Sequence, residues 1–318
     1  MRTSTSAGRG VFIGKVLSNE PICRDHYRLA LGVNAMPPTK PGQFVQLQCR
    51  GLAAQVGARA VDWPPRRLPR LTQPELADKE PLLRRPLSIA GRRDNGGRSE
   101  LQFIYRTIGT GTGWLAGVRR GQELSLLGPL GNAFDISADK PLAALIGGGV
   151  GIPPMIYLAQ AMAKAGRQTT AFSGAKTRDL LPLRLAGGVE VSPAGVPALC
   201  AEEFSQYGVP SVIATDDGSA GVAATVSDAF RNWLDSRRPD ADRLVVYSCG
   251  PEPMMRAVAE ICLSHGCRCQ LAMERHMACG MGTCQSCVVK TRSDDDRGWK
   301  FSLCCTDGPV FDAGRLLW

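Results

Sequence analysis

The chain has 318 residues and a mass of 34.0 kDa, more than one ordinary hydrophobic core accommodates, so two or three domains are expected. A composition of 44% hydrophobic and 21% charged residues excludes an intrinsically disordered chain. The net charge of +9 suits anionic ligands. Apart from Arg66, Arg67, Arg70, Arg84 and Arg85, however, the basic residues are scattered, and no helix-turn-helix, zinc-finger or RNP pattern accompanies them, so no nucleic-acid partner is expected.

Residues 9–138 read as short strands with Gly/Pro turns. The segment from Gly42 to Cys49 alternates with period two, as a half-buried strand does, and Leu101–Arg106 and Glu123–Leu127 are similar. A small antiparallel barrel is the expected architecture. Residues 51–83 interrupt it with Pro64, Pro65, Pro69, Pro74 and Pro81, and read as a long surface loop inserted between two barrel strands.

Within the barrel, Arg85-Pro86-Leu87-Ser88 places a guanidinium fork suited to phosphate and a hydroxyl suited to a flavin ring on one strand. Ile104, Tyr105 and Arg106 offer a ring to stack and a charge to pair. The Gly109-Thr-Gly111-Thr112 turn is a phosphate-binding candidate. Each of these is weak alone, because a basic strand followed by a Gly-Thr hairpin is ordinary.

From residue 139 to 268 the pattern changes to strand–helix alternation. Strands are expected at Leu142–Ile146, Thr169–Phe172, Ser211–Thr215 and Arg243–Ser248, and helices at Pro153–Ala165, Thr225–Ser236 and Pro253–His265. This indicates a doubly wound parallel sheet that binds ligands at the C-terminal ends of its strands. The stretch from Pro141 to Ala163 carries no charge and is long enough to cross a bilayer, but its glycines and Pro153-Pro154 would break a spanning helix, so no membrane association is expected.

Gly147, Gly148, Gly149 and Gly151 lie between a strand and a helix, where backbone N–H groups face a pyrophosphate. Cys249-Gly250-Pro251 ends a later strand and puts a small thiol at the mouth of the sheet, unless Cys249 is an ordinary core cysteine. Asp216 and Asp217 end another strand, where they pair with ribose hydroxyls or merely form a turn.

Residues 269–318 form a small cysteine- and glycine-rich unit. Twelve cysteines in a long chain that opens Met1-Arg-Thr-Ser-Thr-Ser, without an apolar leader segment, point to a reducing cytoplasm rather than a disulfide scaffold. Cys279, Cys284 and Cys287 have the C-x₄-C-x₂-C spacing of a plant-type [2Fe-2S] cluster, and Cys304 or Cys305 supplies the distant fourth thiolate. Gly280 and Gly282 allow the loop to wrap closely around the cluster. A four-cysteine zinc site is the competing reading, and the single C-x₂-C knuckle speaks against it.

Taken together, Arg85–Ser88, Gly111-Thr112, Gly147–Pro154 and Cys249–Pro251 resemble ferredoxin–NADP reductase-type flavoproteins. Thr215–Ser219, Glu274–Cys287 and Cys305-Thr-Asp-Gly-Pro-Val-Phe311 narrow this to a similarity with the electron-transfer subunits of class 1B dihydroorotate dehydrogenases. The resemblance covers nearly the whole chain except the proline-rich insert. It aligns Cys305 as the fourth ligand.

It implies FAD in the barrel, NAD on the parallel sheet, and an FMN-containing catalytic partner in a heterotetramer of pyrimidine biosynthesis. Departures are the length of the 51–83 insert, Gly-Thr-Gly-Thr where Gly-Lys-Gly-Thr is common, and the extra thiol of Cys304. A free-standing NAD(P)H–ferredoxin reductase or a diaphorase subunit is the alternative. No side chain is nominated as an acid or base, and His26, His265 and His276 read as structural or surface residues.

Overall fold

The computed structural model describes residues 8–52, 61–62, 64–68, 70–71, 81, 83–136 and 140–318. Much of the proline-rich insert, including Pro69 and Pro74, and the expected domain boundary at 138/139 lie outside the described residues.

The N-terminal strands are β1 (Gly10–Cys23), β2 (His26–Asn34), β3 (Phe44–Leu47), the short pair β4 (Val61–Asp62) and β5 (Arg70–Leu71), β6 (Arg85–Ser88), β7 (Gly91–Asn95), β8 (Arg98–Arg106) and β9 (Glu123–Leu130). A helix of about two turns, α1 (Thr110–Ala116), separates the last two. Seven strands form one antiparallel sheet in the order β6-β3-β9-β1-β2-β8-β7.

The two edge strands of this sheet, β6 and β7, are separated only by Ile89 and Ala90. Ile89 N–H donates to Gln43 O beside β3, and Ala90 N–H to Gln102 O on β8. The sheet must therefore curl until its edges meet, which gives the expected barrel. Its interior holds Leu29, Leu31, Val45, Leu47, Leu87, Phe103, Tyr105 and Leu126.

The second sheet contains β10 (Leu142–Gly148), β11 (Gln168–Ala175), β12 (Ser211–Thr215), β13 (Val222–Ala223), β14 (Leu244–Cys249) and β15 (Arg268–Ala272), all parallel. Strand alternation sends Ala144, Ile146, Phe172 and Val246 to one face, against α4 (Val226–Arg237) and α5 (Glu252–Ser264). Ala143, Leu145, Ala171 and Val245 go to the other, against α2 (Ile152–Lys164) and the short α3 (Glu202–Ser205). The sheet is doubly wound, as the strand–helix alternation requires.

The C-terminal segment adds a hairpin, β16 (Val288–Arg292) and β17 (Trp299–Leu303), and a last strand, β18 (Val310–Asp312). β18 returns to the large sheet and pairs antiparallel with β15. The expected division at 268/269 falls within β15, and β18 ties the end of the cysteine-rich segment to the same sheet.

Barrel and sheet are firmly joined. The Tyr157 hydroxyl on α2 donates to Thr39 O (2.8 Å), and Gln160 Nε2 to Arg92 O (3.1 Å). The guanidinium of Arg28 on β2 is paired with the buried carboxylate of Glu203. No helix among the described residues is long and apolar enough to cross a membrane.

Candidate functional site

Three groups of residues carry the expected sites, one on the barrel, one at the C-terminal edge of the parallel sheet and one in the cysteine loop. On β6, pleating sends Leu87 into the barrel core and leaves Pro86 and Ser88 half-buried on the opposite face. Arg85 reaches across to the first turn of α1. A Cβ on Gly111 would stand 2.7 Å from Arg85 Nε. Two residues taken from separate motifs are thus in contact, and a side chain at Gly111 would make the guanidinium shift. Thr112 caps the turn, its hydroxyl accepting from Ile108 N–H (3.0 Å) and Gly109 N–H (3.3 Å).

Tyr105 differs from the expectation that it stacks on a flavin. Its ring lies inside the barrel, stacked on Tyr27 at 5.7 Å, and its hydroxyl donates to Asn19 Oδ1 at 3.0 Å. Burial raises its pKa above the ordinary tyrosine value. The inward face of β8 is Phe103 and Tyr105, so Ile104 points outward into the core shared with the parallel sheet. Arg106 is exposed beside Asp25, 3.6 Å away.

On the parallel sheet, Gly147 on β10 is in register with Cys249 on β14. Gly151, which opens α2, lies so close to the end of β14 that a Cβ there would be 2.1 Å from Cys249 O and 2.5 Å from Gly250 N. The glycine turn and the Cys-Gly-Pro strand end therefore form one surface. Burial, and then the charge of Glu274, push the Cys249 thiol up to about 12, so it is neutral at physiological pH.

Asp216 and Asp217 follow β12, two strands from β10, or about 10 Å along the same sheet edge. Asp217 accepts from Ser219 Oγ (2.6 Å) and Ser219 N–H (3.0 Å), which lower its pKa.

In the cysteine loop, Gly280 has φ +70° and Gly282 φ +89°, a left-handed backbone that turns successive N–H groups inward. Cys279 Sγ accepts from Met281 N–H (3.3 Å) and Cys284 N–H (3.4 Å). The Ser286 hydroxyl, 3.2 Å from Cys284 Sγ, leads the neighbours that pull this thiol down to about 6, and Cys279 contributes too.

Cys287 and Cys305 are both buried, in the same hydrophobic core. Burial, then Cys287, push Cys305 up to about 12. Cys304 N–H donates to Cys287 O (2.9 Å), and the thiols of Cys304 and Cys305 are both buried in the core.

Among the described residues no group of three or more His, Cys, Asp or Glu side chains is placed to hold a single metal ion. Cys279 and Cys284 are linked through the Cys284 N–H, which donates to Cys279 Sγ, while Cys287 and Cys305 share one buried core. A two-iron cluster fits this donor chemistry, because its positive irons favour the thiolate forms that burial alone opposes.

Sequence reasoning missed Gln46. It lies on β3 opposite Pro86 and reaches the cysteine loop at Gly280. It also missed Asn132, whose amide nitrogen donates to Asp307 O and Val310 O and whose oxygen accepts from Val310 N–H. Gln46 and Gln48 alternate with apolar residues, which reads as a solvent-facing polar row, so no signal marked Gln46.

The family model for the iron-sulfur cluster binding domain of dihydroorotate dehydrogenase B matches residues 274–317. The dihydroorotate dehydrogenase B (NAD(+)) electron transfer subunit of Lysinibacillus sphaericus is 34% identical over 306 residues, covering 95% of this chain and 96% of the relative. That of Streptococcus mutans is 36% identical over 242 residues, covering 76% and 83%.

Among solved structures, an NADH-dependent reduced ferredoxin-NADP oxidoreductase aligns with TM-score 0.68 and 22% identity over 96% of this chain and 90% of its own. A ferredoxin NADP+ reductase of Neisseria gonorrhoeae with bound FAD and NADP aligns with TM-score 0.52 and 15% identity, covering 84% and 95%. These likenesses establish the shared fold. With the sequence identity extending over nearly all of both chains, this protein belongs to the family of dihydroorotate dehydrogenase B (NAD(+)) electron transfer subunits.

Proposed function

We propose that this chain carries electrons from a separate FMN-containing dihydroorotate dehydrogenase catalytic subunit through a [2Fe-2S] cluster and FAD to NAD+, within a cytoplasmic heterotetramer of pyrimidine biosynthesis. The observation that carries the reading is a cysteine loop whose backbone N–H groups turn onto Cys279 Sγ and which packs on β3, the strand beside Arg85–Ser88. The family names of relatives spanning the full length support it.

Cys279, Cys284, Cys287 and Cys305 hold the cluster in this reading. Arg85 and Gly111 form the place for the FAD phosphates, with Pro86, Leu87 and Ser88 shaping the strand beneath the ring and Thr112 fixing the turn. Gly147, Gly148, Gly149 and Gly151, with Cys249, Gly250 and Pro251, form the surface for the nicotinamide nucleotide. Asp216 and Asp217 offer acceptors to its ribose. Bound flavin supplies the exchange between single electrons and a hydride.

The protein's own contribution is placement. Arg85 supplies a fixed positive fork, and the neutral Cys249 thiol adds no charge beside the nicotinamide surface. Hydride transfer needs no proton from a side chain, so no catalytic acid or base is assigned.

The test is reconstitution of the full chain with an FMN-containing dihydroorotate-oxidising subunit. Dihydroorotate-dependent reduction of NAD+ that requires both proteins is expected. A preparation that carries flavin and cluster, yet gives no such activity and forms no complex, overturns the assignment.

A further inference from the structure

Gln46 is fully buried, and neither its amide oxygen nor its amide nitrogen has a hydrogen-bond partner within the protein. Natural proteins rarely bury an amide this way, because the water it gives up is not replaced.

Strand pleating explains where the side chain goes. Val45 and Leu47 enter the barrel core. Phe44, on the other face of β3, packs in the same core as Leu130, Cys287, Cys304 and Cys305. Gln46 shares the face of Phe44. Its Nε2 lies 2.8 Å from where a Cβ on Gly280 would stand, and its Cγ lies 3.0 Å from that point. Gly280 directly follows Cys279, so the unpartnered amide abuts the cysteine loop. Across the strand pair Gln46 faces Pro86 on β6. It is therefore the side chain that lies between the thiol loop and the strand assigned to the flavin.

We infer that the Gln46 carboxamide is a hydrogen-bond donor to the sulfur atoms held in the Cys279–Cys287 loop, a positioning residue that sets the cluster's potential from the barrel side. This rests on the cluster assignment made above. Thiolate and sulfide sulfurs only accept hydrogen bonds, so they select the N–H end of the amide. A donor beside the sulfurs stabilises the reduced, more negative state and raises the potential. The donors that the loop itself provides to Cys279 are the N–H groups of Met281 and Cys284. Gln46 adds one from outside the loop, and its own unmet hydrogen bonds are met in the same contact.

The test compares the full-length wild type with Gln46→Leu, Gln46→Met and Gln46→His, each purified anaerobically with iron and sulfide. The readouts are a redox titration followed by EPR of the reduced cluster and pulsed EPR on protein labelled with ¹⁵N in the glutamine side-chain amide. In the leucine and methionine variants the ratio of reduced to oxidised cluster at the wild-type midpoint should fall about tenfold, a shift of about 59 mV for one electron. The histidine variant, which keeps a ring N–H of similar reach, should recover most of that shift. A nitrogen coupling present in the wild type should vanish in the leucine variant.

A wild-type cluster whose midpoint and nitrogen coupling are unchanged in both apolar variants overturns the inference. If neither apolar variant retains a cluster, the wild-type coupling decides, its presence supporting the inference and its absence refuting it. A wild type that is EPR-silent after reduction, with ample iron supplied, overturns the cluster assignment itself and the role of Gln46 with it.

Discussion

Gly151→Ala tests whether the glycine turn and the end of β14 are one functional surface. Gly151 has φ −83° and ψ −10°, a conformation alanine adopts freely, so the whole effect is spatial. The new Cβ would stand 2.1 Å from Cys249 O, 2.3 Å from Cys249 C and 2.5 Å from Gly250 N, where ordinary contact begins at 3.4 Å. Relief requires about 1.3 Å of movement, and both sides are backbone, the first turn of α2 and the end of β14. Such overpacking costs about 1–3 kcal/mol, each kcal/mol lowering the melting temperature by about 2–4 °C in a protein of this size class.

The functional loss should exceed the structural one. A displacement of about 1 Å at a reacting centre is worth about 10²-fold in rate. NADH-driven reduction of ferricyanide should therefore fall by about ten- to a hundredfold, with weaker nucleotide binding, while flavin and iron content per chain stay at wild-type values. An alanine variant with wild-type nucleotide affinity and turnover would refute the assignment of this surface.

Serine replacement of Cys279, Cys284, Cys287 or Cys305 should abolish the EPR signal of the reduced cluster while NADH-to-ferricyanide activity persists. Cys304→Ser should keep the signal, and the opposite pattern would make Cys304 the ligand. Glu203→Ala should destabilise the protein by about 2–4 kcal/mol in denaturant titrations, because it strands Arg28, which is 25% exposed, and removes the acceptor of Arg184 N–H; a loss under about 1 kcal/mol would show the pair to be incidental. The hydrogen bond to Asp235 (3.0 Å), and then the Ile261 carbonyl, raise the pKa of His265. Its contribution is therefore complete below an unfolded pKa of about 6.5 and fades as pH rises through the higher folded value. The melting-temperature gap between wild type and Asp235→Asn should narrow from about pH 5.5 to about pH 8.5, and a constant gap would contradict this.

The α/β half was legible because its signals are local. Ser211–Thr215 is β12 as read, and the three helices start within one residue of their expected first positions, at Ile152, Val226 and Glu252. Proline and Thr225 mark those starts, Thr225 Oγ1 accepting from Asp228 N–H. The barrel was legible as strands but not as faces. Both faces of β8 are apolar over Phe103, Ile104 and Tyr105, and which one turns inward depends on closure of the sheet at Ile89-Ala90. Period two likewise suggested that Gln46 faces water, yet the cysteine loop covers that face. The return of β18 left no trace because three residues carry no periodicity.

That return also explains how the cysteine loop, which lies outside regular structure before β16, holds its place. The segment from 274 to 309 leaves the sheet at β15 and rejoins it at β18, and Met273 N–H donates to Pro309 O (2.8 Å) across its base. Asn132, just beyond β9, binds Asp307 and Val310 with its side chain, and its N–H donates to Gly308 O (2.6 Å). The loop is thus tied at its ends to the parallel sheet and at its exit to the barrel, and its first turn packs on Gln46. Electron transfer between sites depends on their separation, and here backbone pairing of β18 with β15, the Asn132 side chain and its N–H, and the packing of Gln46 on Gly280 together fix where the loop lies against both sheets.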